Sequence, residues 1–396
     1  MLDCGAHRSP LLSTQRGSGT SEGALVRSSG SNRYDSMRAA ALIGAAALWS
    51  FFGNVPAFAQ SGQTSTIGAA TMNAALSAPG AIFDLGSKFL RDNANQANST
   101  VFGPAANNPG GGGADVAVNG EQGGTRYRLW GEAYGSIART SAQNAFTGDE
   151  RKTFGGILGI GATVAPGISF GVSVDQGHSK IAIRNLPQSS RIDLTQVGAN
   201  AIFESGPWTF SAAGIYGFGD IAMRRTDAGG EISADYDASL WGAIAEMSYY
   251  WQNGNWRVVP RIGIDWTLIK VDAFTERGGA TPVSATGQQT QRARAFAGAE
   301  IGYSWLSGAH LYDIGVYARA IEILSQDVDP VLATPINTTV GPRTIPGLVD
   351  ERFEFNGGVS TGVKLTETSR LYLVYDTRLR NGFSTHAGTF GFEVRW

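Results

Sequence analysis

From residue 126 onward the chain alternates apolar and polar side chains, segment after segment, the period-2 signature of half-buried β-strands. Twelve such segments are legible: 126–138, 152–165, 168–180, 191–204, 208–221, 233–251, 256–273, 292–305, 310–324, 351–365, 370–380 and 385–396. Each reaches the roughly 9–11 residues with which a tilted strand crosses a bilayer. In 256–273 one face carries Trp256, Val258, Ile262, Ile264 and Trp266, and the other Arg257, Arg261 and Asp265. In 351–365, Phe353, Phe355, Val359, Val363 and Leu365 oppose Arg352, Glu354, Asn356, Ser360 and Lys364.

The connections separate a membrane barrel from a soluble sandwich or propeller, which would bury the same apolar faces between sheets. Tight turns fall at Pro166-Gly167, Ser205-Gly206-Pro207, Asn253-Gly254, Ser307-Gly308 and Thr366-Glu367-Thr368, after every second strand. The alternate connections, 139–151, 181–190, 222–232, 274–291 and 325–350, read as long loops, and only the last, 381–384, is short. Short turns on one rim and long loops on the other are the asymmetry of an outer-membrane barrel. The expected fold is therefore all-β, a twelve-stranded antiparallel transmembrane β-barrel of the bacterial outer membrane, preceded by a short helix and a flexible linker. Both barrel ends lie on the periplasmic rim, where Trp208, Trp251, Trp256, Trp305 and Trp396 would form an aromatic girdle.

A lipid-facing Arg or Lys at mid-membrane costs about 2–4 kcal/mol, so the charges of these strands should face the lumen. By parity the lumen-lining set is Arg128, Glu132, Arg257, Arg261, Asp265, Glu300, Arg319, Glu354, Lys364, Asp376, Arg378 and Arg395. Two readings stay open. Opposite charges pair across strands and hold the barrel's shape, or they form a polar conduit gated or filled by an N-terminal helix.

Upstream, residues 39–52 form an apolar run too short for a transmembrane helix, which needs about 20 residues. Arg38 precedes the run, Pro56 ends it, and Ala57-Phe58-Ala59 supplies an A-x-A site that would place the mature start at Gln60. Residues 37–59 thus read as a signal peptide starting at Met37, and 1–36 as an upstream extension outside the mature protein. Cys4, the single cysteine, lies in that extension, so neither a disulfide framework nor a cysteine metal site is expected. Removing 1–59 takes five of 31 basic and three of 33 acidic residues, leaving a net charge of −4 and no basis for a nucleic-acid partner. The segment 60–124 holds a short amphipathic helix at 81–97, built on Ile82, Phe83, Leu85, Phe89 and Leu90. Gly86 interrupts it, and a linker with Gly110 to Gly113 follows.

The segment 385–396 sets Phe390, Phe392, Val394 and Trp396 against Thr389, Gly391, Glu393 and Arg395. It resembles the C-terminal strand of outer-membrane barrels, in which an aromatic-ended strand is the signal read by the barrel assembly machinery. Residues 125–396 as a whole resemble the autotransporter β-domain, the translocator of type V secretion. The likeness rests on Leu129-Trp130-Gly131-Glu132-Ala133-Tyr134-Gly135-Ser136, on Phe154-Gly155-Gly156-Ile157-Leu158-Gly159, on Ile168-Ser169-Phe170-Gly171-Val172-Ser173 and on Phe390 to Trp396. It implies a barrel in outer-membrane lipid, delivered by the inner-membrane secretion translocon, that threads an N-terminal segment outward and keeps a helix in its lumen. The short 60–124 segment has no solenoid repeat, so a short exported or displayed segment is expected rather than a large passenger. The alternative is a porin-like channel or an adhesive surface protein on the same barrel. Some passengers of this family are released at an asparagine near the lumenal helix, for which Asn93, Asn95 and Asn98 are the available residues.

No catalysis and no cofactor are expected. His178 and His386 fall near the outer ends of strands, where hydrolases of this membrane keep their sites, and His310 lies by a short turn. No G-x-S-x-G elbow accompanies them, and three scattered histidines do not form a metal cluster.

Overall fold

The computed structural model describes residues 71–97, 126–143, 146–336 and 339–396. The expected extension 1–36, the signal peptide 37–59 with Ala57, Ala59 and Gln60, the Gly-rich linker and Asn98 lie outside the described residues.

Twelve strands form a closed antiparallel barrel: β1 (Arg126–Thr140), β2 (Asp149–Ala165), β3 (Ile168–Ile183), β4 (Gln188–Ser205), β5 (Trp208–Asp227), β6 (Gly230–Tyr249), β7 (Trp256–Val271), β8 (Gln288–Ser307), β9 (His310–Val328), β10 (Phe353–Lys364), β11 (Ser369–Arg380) and β12 (Phe383–Arg395). Each strand pairs with its sequence neighbours, and β1 pairs with β12 from Arg128↔Arg395 to Thr140↔Phe383, so the ladder has no free edge. The seam continues past the strands, where Tyr127 and Trp396 exchange backbone hydrogen bonds of 2.9 and 3.1 Å and their rings stack 5.9 Å apart. Closure lets each strand pair with a neighbour on both sides, which is what hydrocarbon demands.

At the short-turn rim Gly167, Gly206, Gly254 and Gly308 adopt positive φ, the conformation these tight connections need. The opposite rim departs from the sequence expectation in two places. The loops expected at 181–190 and 222–232 are mostly strand, because β3 runs to Ile183, β4 starts at Gln188, and the β5–β6 hairpin turns within two residues. The strands continue beyond bilayer length because their inner-face residues Ile183, Met223, Ile232 and Ala234 still find buried neighbours. Their outer faces meet water there and accept Arg224 and Glu231. The two long connections carry short strands, Phe274–Thr275, Val283–Ala285, Val331–Pro335 and Arg343–Ile345, which pair into a separate four-stranded sheet. Arg225 clamps this region from the barrel wall, donating to Glu276 at 2.8 and 2.6 Å and to the Thr281 carbonyl at 2.6 Å.

Inside the barrel lies α1 (Asn73–Ala97), 25 residues long. It begins eight residues before the expected 81. Pro79 sits within it and has no N–H to donate to the preceding turn, a loss that ordinarily breaks a helix. Here the turns around it are enclosed: Met72, Ala74, Leu76 and Ala78 are all buried by the surrounding wall. Among the described residues no helix is long and apolar enough to cross a membrane by itself.

A helix-filled lumen as the candidate functional site

The direction of α1 is set by hydrogen bonds at its two ends. Its N-terminus is held at the long-loop rim: Thr147 N–H donates to Asn73 Oδ1 at 3.0 Å, Ala74 N–H to Gln188 Oε1 at 3.3 Å, and Ser190 Oγ–H to the Ala74 carbonyl at 3.3 Å. Toward the other end Asn93 is fully buried, accepting from Ser173 Oγ at 2.6 Å and donating to the Phe89 carbonyl at 2.9 Å. Ser173 lies five residues above the short-turn rim on β3, so α1 descends most of the barrel.

One side of α1 is greasy. Ile82, Leu85 and Phe89, spaced by three and four residues, and the adjoining Leu90 face a patch of the inner wall made by Ile181, Ile192, Leu194, Ile221 and Leu240. Glycines set the distance on both surfaces. A Cβ at Gly86 would stand 2.3 Å from Leu240 Cδ2, and one at Gly177 2.5 Å from Leu85 Cδ2. Gly86, which reads as a helix breaker in sequence, is where α1 packs against Leu240 of β6.

The other side is ionic. Asp84 bridges the barrel, accepting from Arg151 of β2 at 2.9 Å and from Arg378 of β11 at 2.6 Å. Lys88 pairs with Asp92 at 2.6 Å and Glu132 at 3.5 Å, above the Tyr134 ring. Tyr372 donates to the second oxygen of Glu132 at 2.7 Å. Phe83 lies under the guanidiniums of Arg292 and Arg294, 4.0 and 4.7 Å from its ring centre. Asn95 accepts from Arg261 at 3.2 Å. A cavity of about 170 Å³ remains between this polar side of α1 and strands β1 and β7–β12.

Of the residues predicted to line the lumen, Arg257, Arg261, Asp265, Glu300, Arg319, Glu354 and Arg378 are buried on the inner face. Most of them connect through ion pairs. Arg257 bonds Glu300 at 2.7 Å and Asp313; Arg261 bonds Glu246 at 3.2 Å and Glu300 at 3.5 Å; Arg294 bonds Asp265 at 2.8 Å and Glu354 at 3.6 Å. Asp376 accepts from Tyr317 and from Asn356. Arg128, Lys364 and Arg395 lie near the short-turn rim, where Arg395 and Arg370 share Glu393. Sequence reasoning missed Arg151, Arg292, Arg294, Asp313, Arg370 and Glu393. Strand parity would have found the last five; Arg151 was hidden because its position reads as loop. The partners on α1, Asp84 and Lys88, carried no period-2 signal at all.

Phe390, Phe392, Val394 and Trp396 point outward and are exposed, Trp396 most of all at 60%. Trp208, Trp251, Trp256 and Trp305 are likewise exposed beside the short turns. Trp130 is the opposite case, an inner-face residue only 1% exposed. The histidines are scattered: His178 meets Asp193 on the outer face, His386 meets Tyr375 at 2.7 Å, and His310 stands at the far rim. Among the described residues no group of three or more His, Cys, Asp or Glu side chains is placed to hold a metal ion.

The translocator domain of the autotransporter NalP from Neisseria meningitidis superposes with a TM-score of 0.59 at 16% identity, covering 82% of this chain and 99% of that one. The β-domain of the Bordetella autotransporter BrkA gives 0.49 at 12% identity, covering 68% and 98%. The transport unit of AIDA-I from Escherichia coli gives 0.37 at 12% identity, covering 76% and 98%. No curated protein matches the sequence significantly. The family model of the autotransporter β-domain matches residues 129–376, well over half of the chain, and the protein belongs to that family.

Proposed function

We propose that this translocator barrel exports or displays the segment preceding α1, and that it does so without catalysis. A family of Gram-negative outer-membrane barrels supplies the setting. The observation that carries the reading is the polarity of α1. Its Asn73 end is fastened to Thr147, Gln188 and Ser190 among the long loops, so α1 presents its N-terminus at that rim. The barrel strands begin on the other rim, at Arg126. A helix that fills the lumen so thoroughly also weighs against an open porin-like channel. Residues 37–59 would act as the signal peptide read by the inner-membrane translocon, with cleavage after Ala57-Phe58-Ala59 and a mature start at Gln60. Phe390, Phe392, Val394 and Trp396 would present their outward face to the barrel assembly machinery.

The test is an epitope tag near Gln63, probed with antibody on intact and on permeabilised cells. Staining of intact cells is expected. Staining only after permeabilisation would leave the segment periplasmic and defeat the proposal.

A further inference from the structure

The cavity beside α1 has an imbalance that its ion pairs do not resolve. Its acidic residues are all engaged: Asp84 by Arg151 and Arg378, Asp92 by Lys88, Glu132 by Lys88 and Tyr372, Glu300 by Arg257 and Arg261, and Asp376 by Tyr317 and Asn356. Two of its cations make no direct ion pair among the described residues. Arg319 of β9 is only 7% exposed, and its guanidinium rests against the rings of Phe296 and Tyr317, 5.6 and 5.7 Å away. Its Nε has no hydrogen-bond partner, and it makes no ion pair among the described residues. Arg91 of α1, lining the same cavity, contacts only neutral oxygens: the Ser87 carbonyl at 3.2 Å and Asn356 Oδ1 at 3.5 Å.

A guanidinium nine-tenths buried with no carboxylate in ion-pair contact is costly; buried cations are ordinarily paired. Ring faces attract the cation but leave its N–H edge unspent, and that edge is the part of arginine that matches an oxyanion. We infer that the cavity is a binding site for a small free oxyanion of the inorganic phosphate class, held between Arg319 of the wall and Arg91 of the helix. A volume of about 170 Å³ admits such an ion with a few waters. The closed strand ladder bars a lipid-borne phosphate, whose tails could not follow it inside. The anion would tie α1 to the wall at a level where, among the described residues, the helix makes no ion pair to β9 or β10. This site stands whether or not the segment before α1 is exported.

The experiment is isothermal titration calorimetry of the folded full chain in neutral detergent, injecting sodium phosphate at constant ionic strength, with sodium gluconate as the control. Wild type should give saturable one-site heat with phosphate and none with gluconate. Charge-assisted hydrogen bonds of this kind predict that Arg319→Gln weakens phosphate at least tenfold. Arg91→Gln should do the same while leaving the wall intact, which covers a failure of Arg319→Gln to fold. Absence of saturable phosphate heat in the wild type overturns the assignment. So does wild-type affinity in either folded variant.

Discussion

The two inner walls of this barrel hold the same helix by different physics. Between the hydrogen bonds at its ends, α1 meets the β3–β6 wall through Ile181, Ile192, Leu194, Ile221 and Leu240, where contact is non-directional and set by how closely the surfaces approach. The β7–β12 wall meets it through Arg378, Arg261 and Asn356, where contact is directional, spaced, and leaves a cavity. An apolar wall fixes how deep the helix seats; ionic anchors fix its rotation and height, because charge-assisted guanidinium–carboxylate hydrogen bonds are directional.

The largest effect should come from the residue that joins α1 to β2 and β11 at once. Asp84→Ala leaves Arg151 and Arg378 short of a carboxylate, and a broken buried pair costs about 3–5 kcal/mol. Proteolysis of α1 and ion conductance in planar bilayers should both rise sharply. Unchanged conductance would mean that the apolar wall alone keeps the lumen shut. Leu85→Ala attacks that wall, at a cost of about 2–5 kcal/mol if the site stays dry. Urea denaturation of the detergent-folded protein should separate the two cases, since a wall that admits water would lose much less.

Gly86→Ala is smaller and more specific. The new Cβ would stand 2.3 Å from Leu240 Cδ2, and overpacking of this kind costs about 1–3 kcal/mol. Leu240→Ala in the same chain should restore the wild-type melting temperature, at least in part; no rescue would show that the contact does not set the helix depth.

The smallest effect lies outside the membrane. Asp227, at the tip of the β5–β6 hairpin, accepts from Thr281 Oγ at 2.7 Å and from the backbone N–H groups of Thr281, Ala280 and Gly229 at 2.8, 3.0 and 2.7 Å. The Thr281 hydroxyl bond first, and then the backbone donors, hold its carboxyl down at about 2. A depressed carboxylate pKa contributes stability that is complete above the unfolded value and lost as pH falls through the folded one. The clasp should therefore hold at neutral pH and loosen between roughly pH 4 and pH 2. Protease nicking in the 272–287 connection, followed with an acid-stable protease, should rise over that window. In Asp227→Asn it should be high throughout, while barrel heat-modifiability stays unchanged.

The outer surface of the barrel was legible because lipid imposes one rule on every strand. Ile262 and Ile264 against Arg261 and Asp265 can be sorted by parity alone. Parity fails on the β4–β6 stretch, where both faces are apolar: Val197 and Trp241 look outward, Leu194 and Leu240 inward. Nothing local says which set meets lipid and which meets a helix. The outer hairpins failed for a related reason. Polar residues such as Arg224 and Glu231 read as loop, yet they lie on strands that have left the membrane and need no greasy outer face.

By itself, then, the sequence determined the number of strands, their antiparallel order and the side each charge must avoid. These follow from period-2 alternation and from the energetic penalty of charge in hydrocarbon, both of which act residue by residue. Only the tertiary structure decided that α1 starts at Asn73, tolerates Pro79, points its N-terminus to the long-loop rim and divides the lumen into a greasy wall and an ionic one. Those outcomes depend on pairs such as Asp84 with Arg378, 294 positions apart, which exist only once the ring has closed around the helix.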